Sequence, residues 1–293
     1  MRQPNPFPVF RLIAVPGAAW AAARLLLLVL ALALATQSAR AADRDRLEAF
    51  LKVTGFDVAL DSIALSAGDA PLMLGREVTE FGTDWTRTVA EVFDTAVMRG
   101  LALEILGAAL SDDLLIHAVE FYASDLGQRL VEAENAAHMN EDSDGQRRAG
   151  EEIIADLLRN GGPRLEILQR MGPAIDPQDT AVRAVQEIQI RFLLSASAAG
   201  VVAMELDEAA LRAVMEDQRA SLSQAMRASG LAQSAAVYRG FTDEDLAAYT
   251  EALEHPDMQR VYELMNAVQY EIMANRFEVL ARRMADLHPG EEL

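Results

Sequence analysis

Residues 110–136 align onto residues 241–267 without a gap, at an offset of 131. Eight positions are identical: Asp112/Asp243, Leu115/Leu246, Glu120/Glu251, Gln128/Gln259, Arg129/Arg260, Glu132/Glu263, Asn135/Asn266 and Ala136/Ala267. Random pairing in such a composition gives roughly two, and self-similarity at one spacing points to two copies of one unit. Conservative pairs such as Ser111/Thr242 and Asp113/Glu244 lie between the identities. A fold built on this chain must therefore accommodate the same local structure twice.

That local structure is readable. Ser111 and Thr242 suit helix N-caps, and each precedes two acids that favour the positive end of the helix dipole. Leu115, Ala118 and Tyr122 recur at i, i+3, i+7, as do Leu246, Tyr249 and Leu253, so each helix carries one apolar stripe. Breaks follow at Ser124-Asp125 and at His255-Pro256, with Pro256 placed to open a second helix. That second helix is expected to bury Leu126, Leu130 and Ala133 in one copy, and Met258, Val261 and Met265 in the other.

Elsewhere helical periodicity also prevails over alternation, and strong helix formers fill most segments. Leu47, Phe50, Leu51 and Thr54 share a helical face that Gly55 can close in a left-handed cap. Phe56, Leu60 and Ile63 suit a short second helix, and a helix from Asp84 runs towards Leu106. Gly161-Gly162-Pro163 forms a break, after which Pro177 to about Met204 reads as helix. The expected fold is all-α, in two related multi-helix halves that follow from the repeat.

Phe241-Thr242-Asp243-Glu244-Asp245-Leu246, followed by Glu254-His255-Pro256, and the break Phe121-Tyr122-Ala123-Ser124-Asp125-Leu126-Gly127 carry a resemblance. Together they resemble the hallmark of the bacterial domain-of-unknown-function family numbered 2059: a capped, acid-opened helix ending in a Ser-Pro-x-Gly-like break. Leu51-Thr54-Gly55 is similar to that family's opening helix. In the second copy Met258 stands where the family glycine would be. The resemblance implies a secreted or periplasmic helical protein of Gram-negative bacteria, and it supplies no catalytic residues.

The N-terminus reads as a targeting segment. Arg2, Arg11 and Arg24 precede an unbroken apolar run from Leu25 to Ala35, and Ala39-Arg40-Ala41 offers small residues around a cut after Ala41. A basic start, a short apolar stretch and an Ala-x-Ala site make a secretory signal peptide. Eleven apolar residues fall short of the roughly 20 that span a bilayer. The expected organisation is thus a signal peptide at 1–41, one helical half at 42–160 and another at 161–293. The mature chain would begin at Ala42 in the periplasm or outside the cell.

The formal charge of −19 becomes −23 once the four arginines of that segment leave. So acidic a chain excludes nucleic acid as a partner and is repelled by anionic lipid, so no stable membrane insertion is expected after cleavage. With no cysteine there is neither disulfide, lipid attachment nor thiol chemistry.

Four groups of residues are candidates for chemistry. His117 with Glu120 and Glu251 with His255 have helix ion-pair spacing, and two ligands make no metal site. Arg129 with Glu132 and Arg260 with Glu263 read as solvated i, i+3 salt bridges. The segment 140–151 sets Asn140, Asp142, Asp144 and Glu151 at positions 1, 3, 5 and 12 of a calcium loop, with Gly145 at 6. Arg147 and Arg148 oppose that reading, and a polar linker explains the segment as well. The fourth group, Tyr262, Met265, Ile272, Met273 and Phe277, suits a core stripe. No nucleophile elbow or phosphate-cradling loop exists, and no catalytic residue or cofactor is assigned.

The function expected is an exported, non-catalytic helical protein of the cell envelope. It would bind a protein or peptide as an adaptor or chaperone does, a role suggested by paired helical units and the Met-rich final segment. The alternatives are a calcium-responsive module using 140–151 and a carboxylate-based hydrolase with an unrecognised site.

Overall fold

The computed structural model describes residues 43–202 and 206–287, and every regular element among them is helical. The signal peptide at 1–41, His288 and the expected helix end at Met204 lie outside the described residues. In chain order the helices are α1 (43–53), α2 (Phe56–Asp61), α3 (Ile63–Ala67), α4 (Asp84–Val92), α5 (Thr95–Ala109), α6 (Asp112–Tyr122) and α7 (Asp125–His138). After these come α8 (Ser143–Asn160), α9 (Arg164–Ile175), α10 (Thr180–Ala198), α11 (Glu208–Val237), α12 (Asp243–Glu254) and α13 (Pro256–Met284). No described helix is long and apolar enough to cross a membrane.

Polar side chains start these helices. The hydroxyls of Ser111, Ser124 and Thr242 and the carboxylates of Asp94, Asp142 and Asp207 each accept a backbone N–H from the first turn. Each such cap satisfies a donor that the helix cannot, a contribution of about 1 kcal/mol. Asp94 also explains a difference from the sequence reading. The helix expected to run from Asp84 towards Leu106 stops at Phe93, because Asp94 caps a new one. Likewise α10 begins at Thr180 rather than Pro177, where the Asp176 carboxylate accepts the N–H groups of Thr180 and Ala181. Gly55 takes a left-handed φ of 71° after α1, as expected.

From Leu47 onward the described helices form one unit with a continuous apolar core. Its axis is α13, which buries Met258, Val261, Val268, Ile272, Leu280 and Met284 along its 29 residues. It packs against α10 and against α4, α5 and α6, while α8 lies on α11 and α12 on α9. Helices before and after residue 160 therefore share the core. The joint at Gly161-Gly162, with φ of 72° and 117°, is a turn between α8 and α9 inside that unit.

The two aligned segments have the same helix starts. Ser111 and Thr242 cap α6 and α12, while Ser124 and His255 cap α7 and α13, both pairs 131 apart. The breaks differ in construction. Ala123 and Ser124 separate α6 from α7, whereas His255 alone joins α12 to α13. The longer joint folds α7 back so tightly that a Cβ on Gly127 would lie 2.3 Å from the Phe121 carbonyl oxygen. Met258 occupies the corresponding place in the second segment and is fully buried. In the first segment the buried residues of α7 are Gly127, Leu130 and Val131, with Leu126 and Ala133 only half-buried.

Candidate functional site

Four of the chain's five tyrosines meet around one carboxylate, Glu134 of α7. Tyr238, which ends α11, and Tyr249 of α12 both donate to its Oε1, at 2.6 and 2.8 Å. The Tyr249 hydroxyl also lies 3.2 Å from that of Tyr262 on α13, which in turn lies 2.5 Å from the hydroxyl of Tyr122, the last residue of α6. Phe121 stacks on Tyr249 with ring centroids 5.8 Å apart, and Tyr238 meets both Tyr249 and Phe241 edge-on. Five helices are thus tied through one polar network inside an aromatic shell.

Burial governs its electrostatics. Glu134 is half-buried as a whole residue, but its carboxylate is packed around closely, and desolvation raises its pKa against the opposing pull of the two phenol donors. Burial first and the Glu134 charge second raise the phenols of Tyr238, Tyr249 and Tyr262, while burial and Tyr262 raise Tyr122. Phenols so raised remain protonated at neutral pH and act as donors, not as bases. The cluster can fix helices and hold a charge. It presents no nucleophile–base pair.

Just outside it lies an open groove of about 610 Å³ between α7, α8 and the end of α11. Ala133, Ala136 and Ala137 form one wall, Ala149 and Gly145 another, and Ala236, Arg239 and Phe241 the third. The α8–α11 wall closes because Gly150 lets the helices touch. A Cβ there would meet the Ala232 carbonyl oxygen at 1.8 Å.

Most of the residues singled out from sequence take other partners. Asn140 Nδ2 donates to Gln146 and its Oδ1 accepts the Asp142 N–H, while Asp142 caps α8 through the Gly145 N–H. Asp144 and Glu151 both pair with Arg147, at 3.2 and 2.6 Å. Residues 143–151 are helix, where a calcium loop would have to coil round its ion. Arg260 pairs with Glu263 as expected, but Arg129 reaches instead to Asp245 of α12 with two hydrogen bonds and lies over the Phe241 ring. Neither His117–Glu120 nor Glu251–His255 forms an ion pair among the described residues; the two histidine rings face each other instead.

The alignment at an offset of 131 gives no sign of the Glu134 cluster. In the alignment Glu134 faces Met265, Tyr122 faces Leu253, Tyr249 faces Ala118 and Tyr262 faces Val131, so no member has a counterpart. The available signal was slight: Tyr238, Tyr249 and Tyr262 fall within 25 residues, while Tyr122 lies 116 residues before them.

No curated protein and no solved structure matches this chain. Residues 96–156, from α5 into α8, match the model of a family described as an uncharacterized protein conserved in bacteria, domain of unknown function 2059, and over that span the chain resembles this family.

Proposed function

We propose that this is an exported, non-catalytic binding protein of the cell envelope, which holds a protein or peptide in the groove between α7, α8 and α11. The groove itself carries the reading: it is open, about 610 Å³, and walled by alanines that allow close approach of another backbone. Exposed Arg239 at its edge supplies a charge for an acidic or carboxylate-bearing partner. The Met-rich final helix buries Met258, Met265 and Met284 in the core and is not the binding surface.

Export through cleavage after Ala41 and descent of α6–α7 and α12–α13 from one duplicated unit belong to the same reading. The common offset of the helix starts supports the duplication. A hydrolase gains no support from Glu134, whose partners are phenols rather than a second carboxylate.

The test uses the purified protein as bait in an envelope extract beside Ala136→Arg, a change at an exposed groove position. Proteins retained by the wild type and lost from the variant support the reading. Equal retention by both, or none by either, overturns it. Intact mass of the native protein checks export separately, since a chain still carrying residues 1–41 was not cleaved.

A further inference from the structure

Two histidines from distant parts of the chain meet at the surface. His117 lies in the middle of α6, and His255 is the joint between α12 and α13. Their rings stack with centroids 4.4 Å apart and planes 27° from parallel. Asp257, two residues further on, completes a set in which one ligand atom from each side chain lies within 4.8 Å of the others. We propose that His117, His255 and Asp257 bind a divalent transition cation of the zinc class, bridging α6 to the α12–α13 joint.

The donor set selects the cation. Two imidazoles and one carboxylate suit zinc, nickel or copper, whereas calcium and magnesium require oxygen ligands. Bonds of about 2.0–2.2 Å place tetrahedral ligands roughly 3.4 Å apart, so a spacing of up to 4.8 Å must close by up to about 1.4 Å. His255 and Asp257 are exposed, while half-buried His117 is the anchor.

The present role of His255 is a weak one. Its Nδ1 accepts the Asp257 N–H at 3.3 Å, and the Asp257 carboxylate lies 3.8 Å from the same nitrogen. Ligation through either ring nitrogen replaces this long cap, because the nitrogen that does not bind the cation carries the proton. The positive end of the α13 dipole opposes a cation here. Against it stand the Asp257 charge, Glu120 one turn along α6 from His117, and Glu251 one turn before His255. Three protein ligands leave at least one position for water or an outside donor.

The purified protein, stripped with a chelator, is titrated with Zn²⁺ by calorimetry and with Co²⁺ by visible absorption. One Zn²⁺ per chain is expected, together with a Co²⁺ ligand-field band. His117→Ala, His255→Asn and Asp257→Asn should each weaken Zn²⁺ binding roughly tenfold or more and erase that band. Asn at 255 keeps a capping side chain, and 255 and 257 are exposed, so those two variants test the site even if His117→Ala misfolds. Absence of stoichiometric Zn²⁺ binding, or binding unchanged in His255→Asn and Asp257→Asn, overturns the assignment.

Discussion

The Glu134 carboxylate of α7 accepts the phenol hydrogen of Tyr249 on α12 at 2.8 Å, across 115 residues of sequence. With Tyr238 donating to the same oxygen, α7 is tied to the end of α11 and to α12, both beyond residue 160. The groove walls Ala133, Ala136 and Ala137 sit on that same helix. Whatever loosens Glu134 therefore loosens the proposed binding surface.

Burial raises the Glu134 pKa above its ordinary value of 4.5, so the folded protein keeps this proton to higher pH than the unfolded chain does. The stability it contributes is present below the unfolded value and is lost as pH rises through the folded one. Glu134→Gln keeps an acceptor oxygen and removes the charge. The variant should gain on the wild type as pH rises from about 4 to about 7, read by urea unfolding at each pH. Carboxylates lowered by arginines, such as Asp245 and Glu254, titrate alike in both proteins and cancel in the difference. A difference that does not change with pH would contradict this account.

The hydroxyls of Tyr122 and Tyr249 are worth unequal amounts. Tyr122→Phe removes one neutral bond, and the Tyr262 hydroxyl keeps its neighbour Tyr249, so about 1 kcal/mol is lost. Tyr249→Phe removes a donor to a carboxylate and breaks the link to Tyr262, so about 1.5–3 kcal/mol is lost. Chemical unfolding of both variants should give that order. The reverse order would mean that the Glu134 bond is the weaker element.

Much of the fold was legible because capping is local chemistry. Ser111, Ser124, Thr242 and Gly55 act where their residue types and neighbours place them, and α6, α7, α12 and α13 start at the expected residues. The break at Asp94 is equally local but hidden, because the apolar pattern continues past it. What the sequence could not disclose is which helices lie together. Arg129 prefers Asp245, 116 residues away, to Glu132 one turn along, and the shared Asn135/Asn266 identity serves different ends. Asn266 donates to the Ile175 carbonyl, while Asn135 packs beneath the Gly55 turn. Glu134 and its phenols depend on such long-range placement throughout, and so does the meeting of His117 with His255.

Gly150 and Gly230 lie on the two helices that form the groove's outer side, and they should respond oppositely to alanine. A Cβ at Gly150 would strike the Ala232 backbone, which cannot move without parting α8 from α11. The gain in helix propensity of about 1 kcal/mol is outweighed, and a net loss of about 1–3 kcal/mol is expected for Gly150→Ala. At Gly230 nothing lies within 4 Å of the added carbon, so Gly230→Ala should stabilise by up to about 1 kcal/mol. Melting temperatures of the two variants check this, and a shared sign would show that propensity or packing alone decides.

Calcium offers the last contrast. Coordination by Asn140, Asp142, Asp144 and Glu151 would require α8 to unwind over its first two turns and Arg147 to release both of its acids. A cation bound a hundredfold above its dissociation constant stabilises by about 2.7 kcal/mol, and unwinding those turns works against that gain. Screening of the acidic surface raises stability with any salt, so the comparison is made at ionic strength matched with sodium chloride. Melting curves in calcium and in matched salt should then coincide. Glu151→Gln removes only a solvent-exposed ion pair, so it should lower stability little, and equally with or without calcium. A calcium-specific rise that Glu151→Gln abolishes would show that the start of α8 can convert from helix to loop when an ion is present.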